Sequence, residues 1–362
     1  MIVNKSVVFV AGDGAPGRIM MYLSYLLKKA GISYFHLAQK GGAPALFNNE
    51  ACVPECDFSK IALGHKCKCV VIGNSSYEYW RLENVISRTA FQQKIPVIRV
   101  FDDIDDRQHS FPDLMKSWEE TNKPPLTVTV LTNTHKDLLT KAYPKLENHI
   151  VVIGNPLHYG IEQIAQNFTA LRKKFDQQNS IDSNDFILSL FISGQSENQF
   201  VAMCKCALVL VECLLSNRQV VILLNVHHRT DPGWLDYLNP CVAKWTERGV
   251  KIIRDVHQDD MLVLANLSFS SPTATNGLKA LMTDKKIIEC HDSSFEQIIV
   301  GLKQCVIVGV TPLMSAKEFD RAIKDVLSPT LQSARLAVAK EKDLLPLPNA
   351  LEKLYNIIAQ KI

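Results

Sequence analysis

The chain lacks an excess of charge of either sign. Its 362 residues carry 40 Lys and Arg against 37 Asp and Glu, a formal net charge of +3. That is too mild for the dense basic field of a non-specific nucleic-acid binder. No run of about 18 or more apolar residues occurs, so no membrane-spanning helix is expected. Also missing are a paired C-x-x-C knuckle, a Walker phosphate loop, an internal repeat and any low-complexity tract. The opening "MIVNKSVVFVAGDG" has no small-residue cleavage site and runs into a glycine loop, so it reads as a first strand and not a signal peptide.

What is present is the composition of a globular protein, 47% hydrophobic and 21% charged. The length exceeds one ordinary core and suits two domains. Ten cysteines are scattered, several in apolar runs, as in a reducing compartment that uses thiols as small hydrophobes. Cys52, Cys56, His65, Cys67 and Cys69 lie close together, but their spacing is not that of a zinc knuckle. Cys69 also opens the buried run "CVVIGN". They are expected to be free thiols, and no metal is expected.

The dominant rhythm is a short β-branched run, a Gly/Asn/Asp turn and a longer helical pattern. "SVVFVA", "SYFHLA", "CVVIGN", "IPVIRVF", "LTVTVLTN" and "HIVVIGNP" are such runs in the first half. A polar helical stretch from about Tyr159 to Phe175 and the segment "DQQNSIDSND" follow. The alternation then restarts with "FILSLFISG", "QVVILLNV", "VKIIRDV", "LSFSSPTATN", "KKIIECHD" and "CVIVGV". Strands alternating with helices mean βαβ units and parallel sheets. The expected architecture is α/β, with two Rossmann-like domains facing a central cleft. Residues 1–157 form the first domain, 158–184 a connecting helix and linker, and 185–345 the second domain. Residues 346–362 form an amphipathic helix that returns to the first.

Four loops at predicted strand ends carry candidate chemistry, since ligands of open α/β sheets bind outside the carboxyl ends of the strands. "AGDGAPGR" offers Gly12 and Gly14 for close backbone approach to a ligand, and Asp13 as a candidate base. It is not G-x-G-x-x-G with a ribose-binding acid, and a tight turn would use the same glycines. "VFDDIDDRQHSF" places Asp102, Asp103, Asp105 and Asp106 together, where crowding raises carboxylate pKa values toward those of a general base. A solvated acidic cap is the alternative for any one of them. "NVHHRTDPGW" sets His227, His228 and Arg229 at a strand end as a phosphate clamp, or simply turns the chain through Asp231 and Pro232. "SFSSPTATNG" supplies Ser270, Ser271, Thr273, Thr275 and Asn276 at a helix start. These are more hydroxyls than capping needs, and together they make an anion seat.

With "GNP" closing the first half and "SPTATNGLKALMTDKKII" late in the second, nearly the whole chain resembles the GT-B glycosyltransferase superfamily. That superfamily is taken broadly, to include the UDP-N-acetylglucosamine 2-epimerases. "VHHRTDP" is similar to the His-Pro-Arg stretch of bacterial capsule polymerases and sialic-acid transferases, with His228 in the second position. The resemblance implies that His227 holds the nucleotide phosphate, with Ser270, Ser271 or Thr273 completing the seat. Lys279 stands where many nucleotide-sugar enzymes carry a glutamate on the donor ribose. The missing carboxylate points away from a standard UDP-sugar and toward a CMP-linked donor or a chain without activity.

The expected function is transfer of a sugar from a nucleotide-sugar donor to a glycan or glycolipid acceptor in surface polysaccharide biosynthesis. Epimerase or hydrolase action, or a non-catalytic binding role, are the alternatives. The expected setting is cytoplasmic, with peripheral contact to the inner face of a membrane and no nucleic acid among the partners.

Overall fold

The computed structural model describes residues 2–362 apart from Asp13, 40–51, 76–79, 103–109, 228–229, 273–275, 296, 298–299, 302–305, 342, 344, 346 and 348. The side chains of Cys56, Ser110, Glu162, Gln163 and Leu278 are likewise outside the description. The chain divides into two compact units, residues 1–159 with 346–362, and residues 160–345.

In the first unit, β1 (Ile2–Val3) is followed by β2 (Val7–Ala11), α1 (Gly14–Lys29), β3 (Tyr34–Gln39) and β4 (Cys52–Val53). Then come β5 (Ala62–Leu63), β6 (Cys69–Ile72), α2 (Arg81–Gln92), β7 (Val97–Val100) and α3 (Ser110–Glu120). The series ends with β8 (Leu126–Val130), α4 (Asn133–Ala142) and β9 (Ile150–Val152). Among the described residues the sheet has seven strands in the order β4-β3-β2-β6-β7-β8-β9, all parallel, with β1 and β5 paired apart from it. Strands covered on both faces read as continuous apolar runs, and "VVFVA" and "CVVI" are buried at every position. Helix α1 turns Ile19, Met20, Leu23 and Leu27 inward onto Val7, Phe9 and Val71. The C-terminal helix (Ala350–Ala359) adds Leu351, Leu354 and Ile358 to the same core. It reaches this place past Gly154, whose φ is +98°. A β-carbon there would lie 2.0 Å from the Leu347 carbonyl oxygen. The glycine of "GNP" therefore serves packing of the chain's end.

Helix α5 (His158–Gln166) runs across the boundary at residue 159, and the second unit goes on with α6 (Phe168–Asn179), β10 (Phe186–Ile192), α7 (Glu197–Leu215), β11 (Val220–Val226) and α8 (Leu235–Glu247). It continues with β12 (Lys251–Ile253), α9 (Gln258–Leu264), β13 (Leu267–Ser270), α10 (Asn276–Met282) and β14 (Ile287–Cys290). β15 (Val308–Val310), α11 (Ala316–Leu327) and α12 (Pro329–Glu341) complete it. Its sheet of six described strands runs β12-β11-β10-β13-β14-β15, again parallel. One face packs on α7, α8 and α11 through Phe200, Met203, Trp245 and Phe319. The other packs on α9 and α10 through Met261, Leu262 and Leu281.

Two sequence expectations are refined. The polar stretch after "GNP" is two helices separated at Asn167, and the expected linker is helical as far as Asn179. Phe175 and Ile181 are buried in the second unit's core. Helix α7 is long and apolar enough by composition to cross a membrane, although no purely apolar run that long exists. Half of its most apolar window is buried within the protein, where Phe200, Cys206, Leu210 and Leu214 line the sheet. This is the burial of a core helix.

Candidate functional site

In the second sheet the chain starts at the central strand β10. It moves outward through β11 and β12, then crosses to β13, β14 and β15 on the other side. The order reverses between β10 and β13, and the crevice at the carboxyl ends of such a pair is the preferred ligand site of open α/β sheets. Ser193 follows β10, Ser271 follows β13, and their hydroxyl oxygens lie 3.1 Å apart. Ser271 is buried, and the buried Ser270 donates to its carbonyl at 3.3 Å. Gly194 lets the turn out of β10 hug the start of α7, since a β-carbon there would lie 2.8 Å from the Phe200 amide nitrogen. Helix α7 is capped by Ser196, which accepts from the Gln199 amide.

His227 leaves β11 at the same edge. Its amide donates to the Ile192 carbonyl at 3.0 Å, and the residue is half-buried. The turning that follows is done by other residues. Thr230 donates to the His227 carbonyl, and Asp231 accepts from the Gly233 amide at 2.8 Å, capping the short helix Pro232–Trp234. His228 and Arg229 lie outside the described residues, as do Thr273 and Thr275. Asn276 is buried and begins α10.

Two carboxylates missed in the sequence reading shape this edge. Glu289, fully buried near the end of β14, has a carboxylate oxygen 3.3 Å from His291 Nε2. A β-carbon on Gly277 would come 2.2 Å from Glu289 Oε1, so α10 can start against this carboxylate only where there is no side chain. A β-carbon on Gly309 would likewise come 2.0 Å from His291 Nδ1. The available signal is an acid and an imidazole at the end of the short strand run in "KKIIECHD". The second carboxylate is Asp259 on α9, which accepts from Lys279 Nζ at 2.7 Å with both side chains almost fully buried. Lys279, aligned by sequence with a ribose-binding position, is thus turned into an internal ion pair between α9 and α10.

The first sheet also reverses, between β2 and β6. There the described residues of the loops after β2 and β6 are tied to one buried carboxylate. The Gly12 amide donates to Ser75 Oγ at 2.8 Å and to Glu83 Oε1 at 3.3 Å. Ser75 donates to the same carboxylate through its hydroxyl at 2.5 Å and its amide at 3.3 Å. Arg99 in β7 donates to Glu83 Oε2 at 3.0 Å and to Asn74 Oδ1 at 2.6 Å. The Gly12 amide is therefore already engaged by the protein's own carboxylate. Among the described residues, a β-carbon on Gly14 would meet nothing within 4 Å. Asp102, nearly buried at the end of β7, accepts through its carbonyl from Asn155 Nδ2 at 2.8 Å. Asp13, Asp103, Asp105 and Asp106 lie outside the described residues.

Of the cysteine cluster, Cys52 is half-buried and Cys67 and Cys69 are buried free thiols, while His65 is exposed. Burial pushes the Cys67 thiol up to about 11 and that of Cys69 well above the usual thiol range. Among the described residues no three His, Cys, Asp or Glu side chains converge as metal ligands would.

No protein-family description and no curated protein matches the chain. Solved structures do. The UDP-GlcNAc 2-epimerase from Neisseria meningitidis bound to UDP-GlcNAc matches with a TM-score of 0.65 at 13% identity, over 99% of this chain and 100% of that one. HepE from Anabaena in complex with UDP matches with a TM-score of 0.57 at 14% identity, over 98% and 100%. The wall teichoic acid polymerase TagF matches with a TM-score of 0.60 at 10% identity, over 99% and 89%. The chain has the GT-B fold. At these identities the likeness is one of fold, and GT-B proteins include both glycosyltransferases and UDP-GlcNAc 2-epimerases, so the fold does not select one reaction.

Proposed function

We propose that this chain is a glycosyltransferase that moves a sugar from a CMP- or UDP-linked donor to a bacterial surface glycan. The observation that carries the reading is the switch-point crevice of the second unit. Ser193 and Ser271 meet there at 3.1 Å, and the strand bearing His227 ends on the same edge. In the proposed mechanism the donor's phosphates sit on Ser271 and His227, with Ser270, Asn276, Thr273, Thr275 and Arg229 completing the seat. Hydrogen bonds from these groups stabilise charge as the sugar–phosphate bond breaks. A carboxylate from Asp13 or from the Asp102–Asp106 loop takes the acceptor proton. The neighbours crystallised with UDP or UDP-GlcNAc support a nucleotide-sugar donor. The free thiols support a cytoplasmic setting.

The test begins with a panel of nucleotides. The one that binds should raise the melting temperature, with about 2.7 kcal/mol of stabilisation at 100 times its dissociation constant. Release of free nucleotide from the matching nucleotide sugar, dependent on acceptor, is the outcome expected of a transferase. Acceptor-independent release would indicate a hydrolase, and an altered sugar still attached to its nucleotide an epimerase. No binding to any nucleotide would leave a binding protein that retains the fold.

A further inference from the structure

Helix α1 is not finished as an ordinary surface helix. Its inward stripe is Ile19, Met20, Leu23 and Leu27, and its outward stripe is Arg18, Met21, Tyr22, Tyr25, Lys28 and Lys29. A solvated helix face normally mixes both charge signs with small polar groups. This stripe has large apolar and aromatic side chains and bases, and α1 contains no carboxylate at all. Tyr25 is 62% exposed and Met21 41% exposed. Tyr22 packs on the ring of Tyr159, itself 36% exposed, with centroids 5.6 Å apart, so the aromatic surface continues beyond the helix. Lys29 Nζ lies 5.8 Å from the centre of the Tyr25 ring. None of the ion pairs among the described residues uses Arg18, Lys28 or Lys29. The neighbouring C-terminal helix adds the half-buried Lys353 and the exposed Glu352, and Lys361 follows it.

We propose that this face of α1 docks the protein on an anionic lipid surface. Charge selects the occupant: the exposed Lys28 and Lys29 and the half-buried Arg18, with no acid on the helix's outward stripe, complement phosphate headgroups. Tyrosine and methionine suit the headgroup–acyl boundary, where an amphipathic ring keeps its hydroxyl wet and buries its body. The apolar face of the C-terminal helix, the obvious alternative, is spent on the core through Leu351, Leu354 and Ile358. The inference does not depend on the identity of any nucleotide donor.

The experiment is co-flotation of the full chain with vesicles of phosphatidylcholine, with and without phosphatidylglycerol. Binding should require phosphatidylglycerol, weaken with salt, and fall about five-fold for each charge removed in Lys28→Gln and Lys29→Gln. Met21→Glu with Tyr25→Glu should abolish flotation while leaving the melting temperature unchanged, since both side chains are exposed. Flotation that ignores phosphatidylglycerol or survives the double substitution would overturn the proposal. So would self-association in solution that is lost in the same variant, because it would assign the face to a second copy of the chain.

Discussion

Arg99 donates to Glu83 at 3.0 Å with both side chains fully buried, and the same carboxylate receives the Gly12 amide and the Ser75 hydroxyl. One ion pair thus joins β7 to α2 and fixes the loops after β2 and β6, the two strands at the reversal of the first sheet. A buried pair is favourable chiefly because breaking it strands a charge. Removing one partner costs about 3–5 kcal/mol, while replacing both by well-packed apolar groups costs far less. Arg99→Met and Glu83→Gln should therefore each lower the unfolding free energy by several kcal/mol, on the order of those values. The double substitution should lose clearly less than the sum. Urea titrations of all three variants check this, and strict additivity would show that the two groups act independently.

Stability should also fall on mild acidification. Burial lowers the His135 imidazole from 6.5 to about 3 and the His36 imidazole from 6.5 to about 4. His135 packs its ring against Phe101, and His36 meets Ser24 Oγ through Nε2 at 2.7 Å. Both are held neutral in the fold, so between their folded values and 6.5 the unfolded chain binds more protons. Their contribution is complete above about pH 6.5 and is lost as pH falls toward 4 and then 3. The urea midpoint should drop between pH 7 and pH 4, and drop less in His135→Phe. An unchanged pH profile in that variant would remove His135 as a source.

The pH-sensitive and ion-paired residues show where sequence reading runs out. Strand identity was legible because parallel strands buried on both faces are continuous apolar runs, as in "VVFVA" and "FILSLFI". The strand-end position of His227 and Ser271 followed from the same runs. Arg99 was legible only as an interruption of "IPVIRVF", because its partner is a helical residue whose facing depends on the packing of α2. Glu289 and Gly277 are related through the start of α10, a contact no periodicity reveals. Lys279 was aligned by its place in a helix, but rotation of that helix directs it to Asp259.

If the acidic loop supplies the base, Asp102→Asn, Asp103→Asn, Asp105→Asn or Asp106→Asn should cut turnover by about 100-fold or more with nucleotide affinity nearly intact. Asp13→Asn is the competing variant. Steady-state rates on a matched donor and acceptor distinguish them, and full activity in all five would end the carboxylate-base mechanism.

The last expectation separates a phosphate clamp from a turn at "NVHHRTDPGW". Asp231 and Pro232 do the turning, since the Asp231 carboxylate holds the Gly233 amide. Asp231→Ala should thus cost about 1 kcal/mol of stability, the worth of a lost cap. It should leave nucleotide affinity unchanged. His227 is half-buried at the strand end, where its amide donates to the Ile192 carbonyl and its carbonyl accepts from the Thr230 amide. In the proposed clamp its imidazole engages the donor phosphate. His227→Ala should therefore weaken nucleotide binding by about 1.5–3 kcal/mol, the range of a charge-assisted hydrogen bond, with little effect on unfolding. Lys279→Met supplies the opposite pattern. It strands Asp259 inside the second unit and should lower stability by about 3–5 kcal/mol, while the folded fraction binds nucleotide normally. Calorimetric titration beside urea unfolding reads both quantities on each variant. Nucleotide binding that survives His227→Ala combined with Arg229→Ala would reject the clamp and leave the segment as a turn.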